Sequence, residues 1–362
     1  MHLVVFGLSV SSAWGNGHAA LWRALIGALA ADGHAVTFFE RNQSFYAQNR
    51  DLTELPGACE LVLFDAWRDV LCKARAAVRA ADAAIVTSFC PDGAAATELI
   101  AHYAQGLRCF YDLDTPVTLA ALEAGNPIEA IGPHRLQPFD LVLSYTGGAA
   151  LEALAGKLDA RRVHTLYGWV DPAVHRPAPP DPHCTADLSY FGTYADDRQH
   201  VLERLFVEPA RRLPNRRFVI GGAQYPATFP WAANIWFVRH VPLAAHASFY
   251  SASRLTLNVT RQAMARMGWC PSGRLFEAAA CGTPILSDWW EGLDAFFTPG
   301  EEIMIARDTA DTLAAMEHGD AELQAIARRA RERALEQHTA TVRAREMLEI
   351  FEQARGERGM AA

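Results

Sequence analysis

The chain has 362 residues, 51 % of them hydrophobic, which is too long for one ordinary domain and enough for two sizeable cores. With 41 acidic against 33 Lys and Arg side chains its formal net charge is −8, and no polybasic run offsets it, so nucleic acid is excluded as an expected partner. The 7 cysteines are odd in number, scattered and free of any C-x-x-C pair, which excludes a disulfide framework or a zinc ribbon and reads as reduced thiols of a cytoplasmic protein.

The opening MHLVVFGLSV is apolar but lacks a basic segment, so it reads as a strand and not as a secretory leader. No apolar run is long enough to span a bilayer. Strands are expected at 3–7, 35–40, 83–88, 108–113 and 139–145, with helices at 19–31 and 68–81 between them. Such alternation predicts an α/β fold with a mostly parallel sheet. The pattern breaks at LYGWVDPAVHRPAPPDPHC (166–184), whose prolines mark a linker and hinge. It restarts with strands at 187–193, 216–222, 234–241, 254–260, 283–287 and 301–306. A long polar helix follows from about Asp320, then an amphipathic helix at 341–354.

Polar residues gather just after several strands. GLSVSSAWGNGH follows the first one, with Gly15 and Gly17 permitting close backbone approach before a helix. Glu40 ends the second strand, where a dinucleotide fold places its ribose-binding acid. An NAD-dependent oxidoreductase using Gly15, Gly17 and Glu40 is therefore one reading, and a glycine-bearing turn before a helix is another. Asp112 and Asp114 in FYDLDTP form a D-x-D pair that strand alternation would place on one face, as for a metal. Asp114 or Thr115 equally suits a helix cap. In the second half, Gly192, Thr193 and Arg198 (YFGTYADDR), Asn258, Thr260 and Arg261 (NVTR), and Ser272, Gly273, Arg274 and Glu277 (SGRLFE) stand after three strands of one sheet. Backbone amides and arginines at such turns suit a pyrophosphate. Glu277 could instead cap its own helix.

The stretches SGRLFEAAACGTPILSD…GLDAFFTPGEEI, VRHVP…FYSASRLTLNVTR, LYGWVDPAVHRP, YFGTYADDRQ and WGNGHA…LWRAL resemble group-1 glycosyltransferases, closest to the CgeB-like, spore-maturation-type branch. The resemblance covers nearly the whole chain and is most specific in the C-terminal block. It implies a GT-B fold, two Rossmann-like domains facing across a cleft. Residues 1–168 would bind the acceptor and 169–338 the sugar nucleotide, with 339–362 returning to the first domain. The implied activity is a hexosyltransferase-type, metal-independent and cofactor-free transfer. The donor would be a UDP-, dTDP- or GDP-linked sugar and the acceptor a glycan, small molecule or protein.

By the same resemblance Glu277 would hold the ribose hydroxyls. Gly192, Thr193, Arg198, His240, Asn258, Arg261, Ser272, Gly273 and Arg274 would form the donor site. His18 would be the base, with Asp114 as the second candidate. The family spaces two glutamates as E-x7-E, and Trp269 stands where the first would fall. A non-catalytic sugar- or partner-binding relative is the third reading.

Overall fold

The computed structural model describes residues 1–361. The chain divides into two compact units, Met1–Gly168 together with the segment from Ala340, and Trp169–Thr339.

The first unit is built on seven strands: β1 (His2–Gly7), β2 (Ala35–Arg41), β3 (Glu60–Phe64), β4 (Ala83–Thr87), β5 (Leu107–Asp112), β6 (Leu141–Ser144) and β7 (Val163–Thr165). They pair in parallel in the order β3-β2-β1-β4-β5-β6-β7. The central strands are apolar on both faces because helices cover both sides. Helix Gly17–Ala31 buries Ala19, Trp22, Leu25, Ile26 and Leu29. Helix Ala340–Ala361 buries Ala340, Ala344, Met347, Phe351 and Ala354, a three- to four-residue spacing that keeps one stripe inward. It packs on Gly17–Ala31, within the first unit.

The second unit carries β8 (Leu188–Phe191), β9 (Phe218–Gly222), β10 (Ile235–Arg239), β11 (Thr256–Asn258), β12 (Ile285–Ser287) and β13 (Met304–Ile305), paired in parallel in the order β10-β9-β8-β11-β12-β13. The alanine run of Gly273–Ala280 is buried against helix Asp320–Gln337, since small side chains let two helix backbones approach.

Two corrections to the sequence reading follow. β3 and β7 were not expected; they are the two edges of their sheet, and whereas β7 is only three residues long and offers no apolar run, β3 does carry one, Leu61–Phe64, that the reading passed over. The proline-rich stretch does carry the chain from one unit to the other, at Gly168–Trp169, but it is anchored at that crossing. From Trp169 it belongs to the second unit, Trp169, Val170 and His175 are buried, and Val170 bridges Thr339. In the first unit the Arg343 guanidinium donates to the carbonyls of Tyr167 and Gly168. Both ends of the chain crossing are therefore pinned by hydrogen bonds inside their own unit.

Candidate active site

In each sheet the connections leave in opposite directions from a pair of neighbouring strands, β1 and β4 in the first, β8 and β11 in the second. Beyond the carboxyl ends of such strands lies the crevice in which α/β sheets bind ligands.

In the first unit the loop after β1 is fastened by Glu40. This fully buried acid accepts from the Val10 and Ser11 amides at 2.7 and 2.9 Å and from the Ser9 and Ser11 hydroxyls at 3.0 and 2.5 Å. Both oxygens are engaged, so Glu40 does not present itself to a ribose, and the dinucleotide reading loses its acid. Asn16 caps the next helix by accepting from the His18 amide at 3.1 Å, and its own amide holds the Ser9 and Ser12 carbonyls.

That cap sets His18 at the second helical position, where its Nε2 lies 2.6 Å from Asp114 Oδ2. The two candidates for the base thus meet as a pair, both mostly shielded from solvent. A carboxylate only accepts, so Nε2 carries a proton, and in the neutral imidazole the lone pair stands on Nδ1. Nδ1 is buried and has no protein partner. Phe89, in a left-handed conformation at φ 61° and 47 % exposed, places its ring centroid 6.0 Å from the imidazole.

The D-x-D expectation fails in its geometry. Asp112 ends β5 and turns inward, accepting from the Asp114 amide and the Thr118 hydroxyl, each at 3.1 Å. Asp114 occupies the cap position of helix Thr115–Glu123, yet its side chain makes no capping bond and goes to His18. The two carboxylates therefore serve different partners. Burial pushes Asp112 up to about 7.

In the second unit Arg274 joins the two strand ends. It donates to the carbonyls of Phe191, after β8, at 2.7 Å and Val259, after β11, at 3.3 Å, and to Ser272 Oγ at 3.1 Å. Gly192 is needed here, because a Cβ would fall 2.5 Å from Arg274 Nη1. Arg198 is buried and reaches the Thr193 carbonyl. Burial, then the charges of Arg274 and Arg261, hold its guanidinium below its ordinary value. Among the described residues neither Arg198 nor Arg274 has an ion-pair partner, whereas Arg261 is exposed and bonded to Asp197 at 2.7 Å. The two cations repel each other; Glu277 offsets this at Arg274, whose guanidinium lies above its ordinary value, but not at Arg198, and a bound anion would relieve the cost there.

Glu277 lies in the second turn of helix Gly273–Ala280, whose first turn holds no acid, so the capping reading does not hold. Its Oε2 accepts from the Tyr250 hydroxyl at 3.4 Å. Ser272 is the cap residue by position but bonds no helix amide, which leaves the helix start open at Gly273. Asn258 turns its amide to Ser287 and Thr260, leaving Oδ1 buried without a partner. His240 follows β10 at φ 54°, and its amide donates to Gly222 at 2.7 Å. Trp269, where the family's first glutamate would fall, is held at φ 48° by a 2.7 Å bond to the Glu291 carbonyl, with its ring against Gly292.

Four residues at this end escaped the sequence reading. Tyr225 donates to the Gly192 carbonyl at 3.1 Å. Asp288 accepts from the Thr260 amide and hydroxyl, and burial pushes it up to about 6. Asp288 had a signal, being the first polar residue past β12. His175 and His246, whose facing nitrogens are 3.4 Å apart beside Glu277, had none, because 71 residues separate them.

Residues 198–349 match the family model described as Glycosyl transferase-like. The fold is that of GT-B glycosyltransferases. Sucrose-phosphate synthase from Thermosynechococcus elongatus superposes with TM-score 0.73 at 16 % identity, over 98 % of this chain and 99 % of that one. HepE of Anabaena, solved with UDP and glucose, gives 0.65 at 13 % identity over 97 % and 99 %. A glycosyltransferase from Rickettsia africae gives 0.65 at 11 % identity over 98 % of each chain. No curated protein sequence matches the chain significantly. Among the described residues no helix is long and apolar enough to cross a membrane.

Proposed function

We propose that the protein is a glycosyltransferase that moves a sugar from a nucleoside-diphosphate sugar to an acceptor hydroxyl, and that it stands nearest the CgeB-like branch. The observation that carries this reading is the unpaired Arg198–Arg274 couple at the carboxyl ends of β8 and β11. With the open start of helix Gly273–Ala280, these cations hold the diphosphate and stabilise it as it leaves with the bonding electron pair. A resident metal is not needed for that charge, so a chelator leaves turnover intact. Glu277 accepts the two ribose hydroxyls, and the turn at His240 contributes to the donor site with Gly192, Thr193, Asn258 and Arg261. Complexes of UDP and glucose with HepE, a protein of this fold, support a nucleotide-sugar donor.

In the first unit the His18–Asp114 pair supplies the base. Nδ1 takes the acceptor proton while Asp114 steadies the imidazolium that results. The exposed Phe89 ring beside His18 offers the acceptor an apolar face. The compartment consistent with seven free cysteines is the cytoplasm.

The test is a binding panel of UDP, dTDP and GDP against NAD(H), read by calorimetry. One nucleoside diphosphate binds, NAD(H) does not, and Glu277→Ala weakens that binding by about 1–3 kcal/mol, the range for losing hydrogen bonds to a charged group. Equal affinities in wild type and variant for all three would refute the ribose role.

A further inference from the structure

Beside the arginine couple lies a cluster that transfer chemistry does not call for. His175 comes from the proline-rich stretch, His246 from the start of helix His246–Ser251, and Glu277 from helix Gly273–Ala280. One ligand-capable atom of each lies within 4.8 Å of the other two. No other trio of His, Cys, Asp or Glu among the described residues meets that condition. The facing atoms His175 Nε2 and His246 Nδ1 are 3.4 Å apart, long for an N–H···N bond. It is the spacing of two nitrogens on one tetrahedral cation, since metal–nitrogen bonds of about 2.1 Å at the tetrahedral angle separate them by about 3.4 Å.

We propose that His175, His246 and Glu277 form a binding site for a divalent transition cation, zinc foremost, with the fourth position left to water. The two imidazoles are borderline donors that favour zinc over magnesium or calcium, and the carboxylate, a harder donor, completes a set that zinc accepts. The surroundings hold the donors in place. His246 packs edge-on against Phe191 at 4.6 Å, Tyr250 donates to Glu277, and His175 is buried.

Occupancy has a consequence that rests on the ribose role proposed for Glu277. A carboxylate oxygen bound to zinc has given up to the metal the negative charge and the lone pair that one of the ribose hydroxyls would use. Zinc then competes with the nucleotide and acts as an inhibitor that a chelator reverses, in keeping with turnover that needs no metal.

The test starts from metal-free full-length protein titrated with Co²⁺ alone and then with Zn²⁺. One equivalent of Co²⁺ is expected to give the intense visible bands of four-coordinate nitrogen and oxygen ligation, without the near-ultraviolet thiolate band, and Zn²⁺ abolishes them by displacement. His246→Gln, which keeps the side-chain volume, lowers affinity by about 100-fold or more, at least the upper end of what losing a group behind a ligand costs. His175→Gln does the same, and Cys72→Ser, at an exposed thiol, does not. No bands in wild type, a thiolate band, or undiminished binding in both histidine variants would each overturn the site. If a histidine variant does not fold, the wild-type spectrum decides by itself. UDP titrations with and without saturating zinc separate the two readings. Cobalt bands as expected with unchanged UDP affinity leave the metal site standing and remove the ribose role of Glu277.

Discussion

Glu40 offers the most direct check on the reasoning, because its sequence position points one way and its surroundings another. At the end of β2 it matches the acid that holds a dinucleotide ribose, but its four bonds all go to the loop Ser9–Ser11. In Glu40→Ala the Val10 and Ser11 amides stay buried with no acceptor. An orphaned buried donor costs about 1–3 kcal/mol, so the pair costs about 2–6 kcal/mol before any cavity is counted. In Glu40→Gln the carbonyl can keep the two amides, and the new NH2 can donate to the serine hydroxyls, which rotate to accept. Only charge assistance is lost, about 1–2 kcal/mol.

A unit of this size shifts its midpoint by about 2–4 °C per kcal/mol. Scanning calorimetry on the full chain should therefore show losses of about 2–8 °C for Gln and clearly more for Ala. The order matters more than the values. Midpoints for both variants within about 1 °C of wild type, with NAD(H) binding present in wild type and lost in Glu40→Ala, would mean that the acid is a ligand group and that the assignment of the first unit is wrong.

Turnover should respond to both members of the His18–Asp114 pair. His18→Ala lowers transfer by roughly 100-fold or more with nucleotide affinity unchanged, and Asp114→Asn lowers kcat without touching donor affinity; wild-type turnover in His18→Ala would exclude it as the base. Asp112 should show in the pH dependence of stability. Its folded value of about 7 lies above the ordinary carboxylate range, so the fold binds a proton that the unfolded chain has released between about pH 4 and 7. Wild type accordingly loses stability as pH rises through that window, and Asp112→Asn, which cannot ionise, gains relative to it by up to about 1.4 kcal/mol per pH unit, levelling above pH 7. A difference between the two that stays flat from pH 4 to 8 in urea titrations would show that Asp112 ionises freely in the fold.

Most strands were legible because each is an apolar run bounded by turn residues, and a parallel sheet covered on both faces writes that pattern strongly. The sheet's edges were not. Only one face of β7 meets the rest of the unit, and its three residues, Val163–Thr165, are all half-exposed. The proline-rich stretch was legible as the crossing between the units, though not in its local packing. Proline reports a fixed φ and a missing donor, not whether the surrounding side chains are buried. Trp169, Val170 and His175 are buried, so the chain is packed at the crossing, while Pro177, Pro179, Pro180 and Pro182 beyond it are exposed.

The site was legible as a set of positions and illegible as a set of partners. Strand ends in an open α/β sheet are where polar residues collect, so His18, Asp114, Arg198, Arg274 and Glu277 could each be found one at a time. What each does depends on which neighbour it faces, and three of the decisive contacts join residues far apart in sequence: His18 with Asp114 across 96 positions, Arg274 with Phe191 across 83, His175 with His246 across 71. Local spacing assigns a carboxylate near a helix start to capping, since the cap is the partner that sequence can see. Asp114 stands at a helix start and does not cap, because an imidazole arrives from elsewhere in the fold, while Glu277 lies a turn beyond its helix start and faces a tyrosine hydroxyl and two histidines. A carboxylate that passes over the nearest amides for distant groups has given up a local bond of about 1 kcal/mol or so. That concession at Asp114 is the reason to read it as a working group and not as the punctuation of a helix.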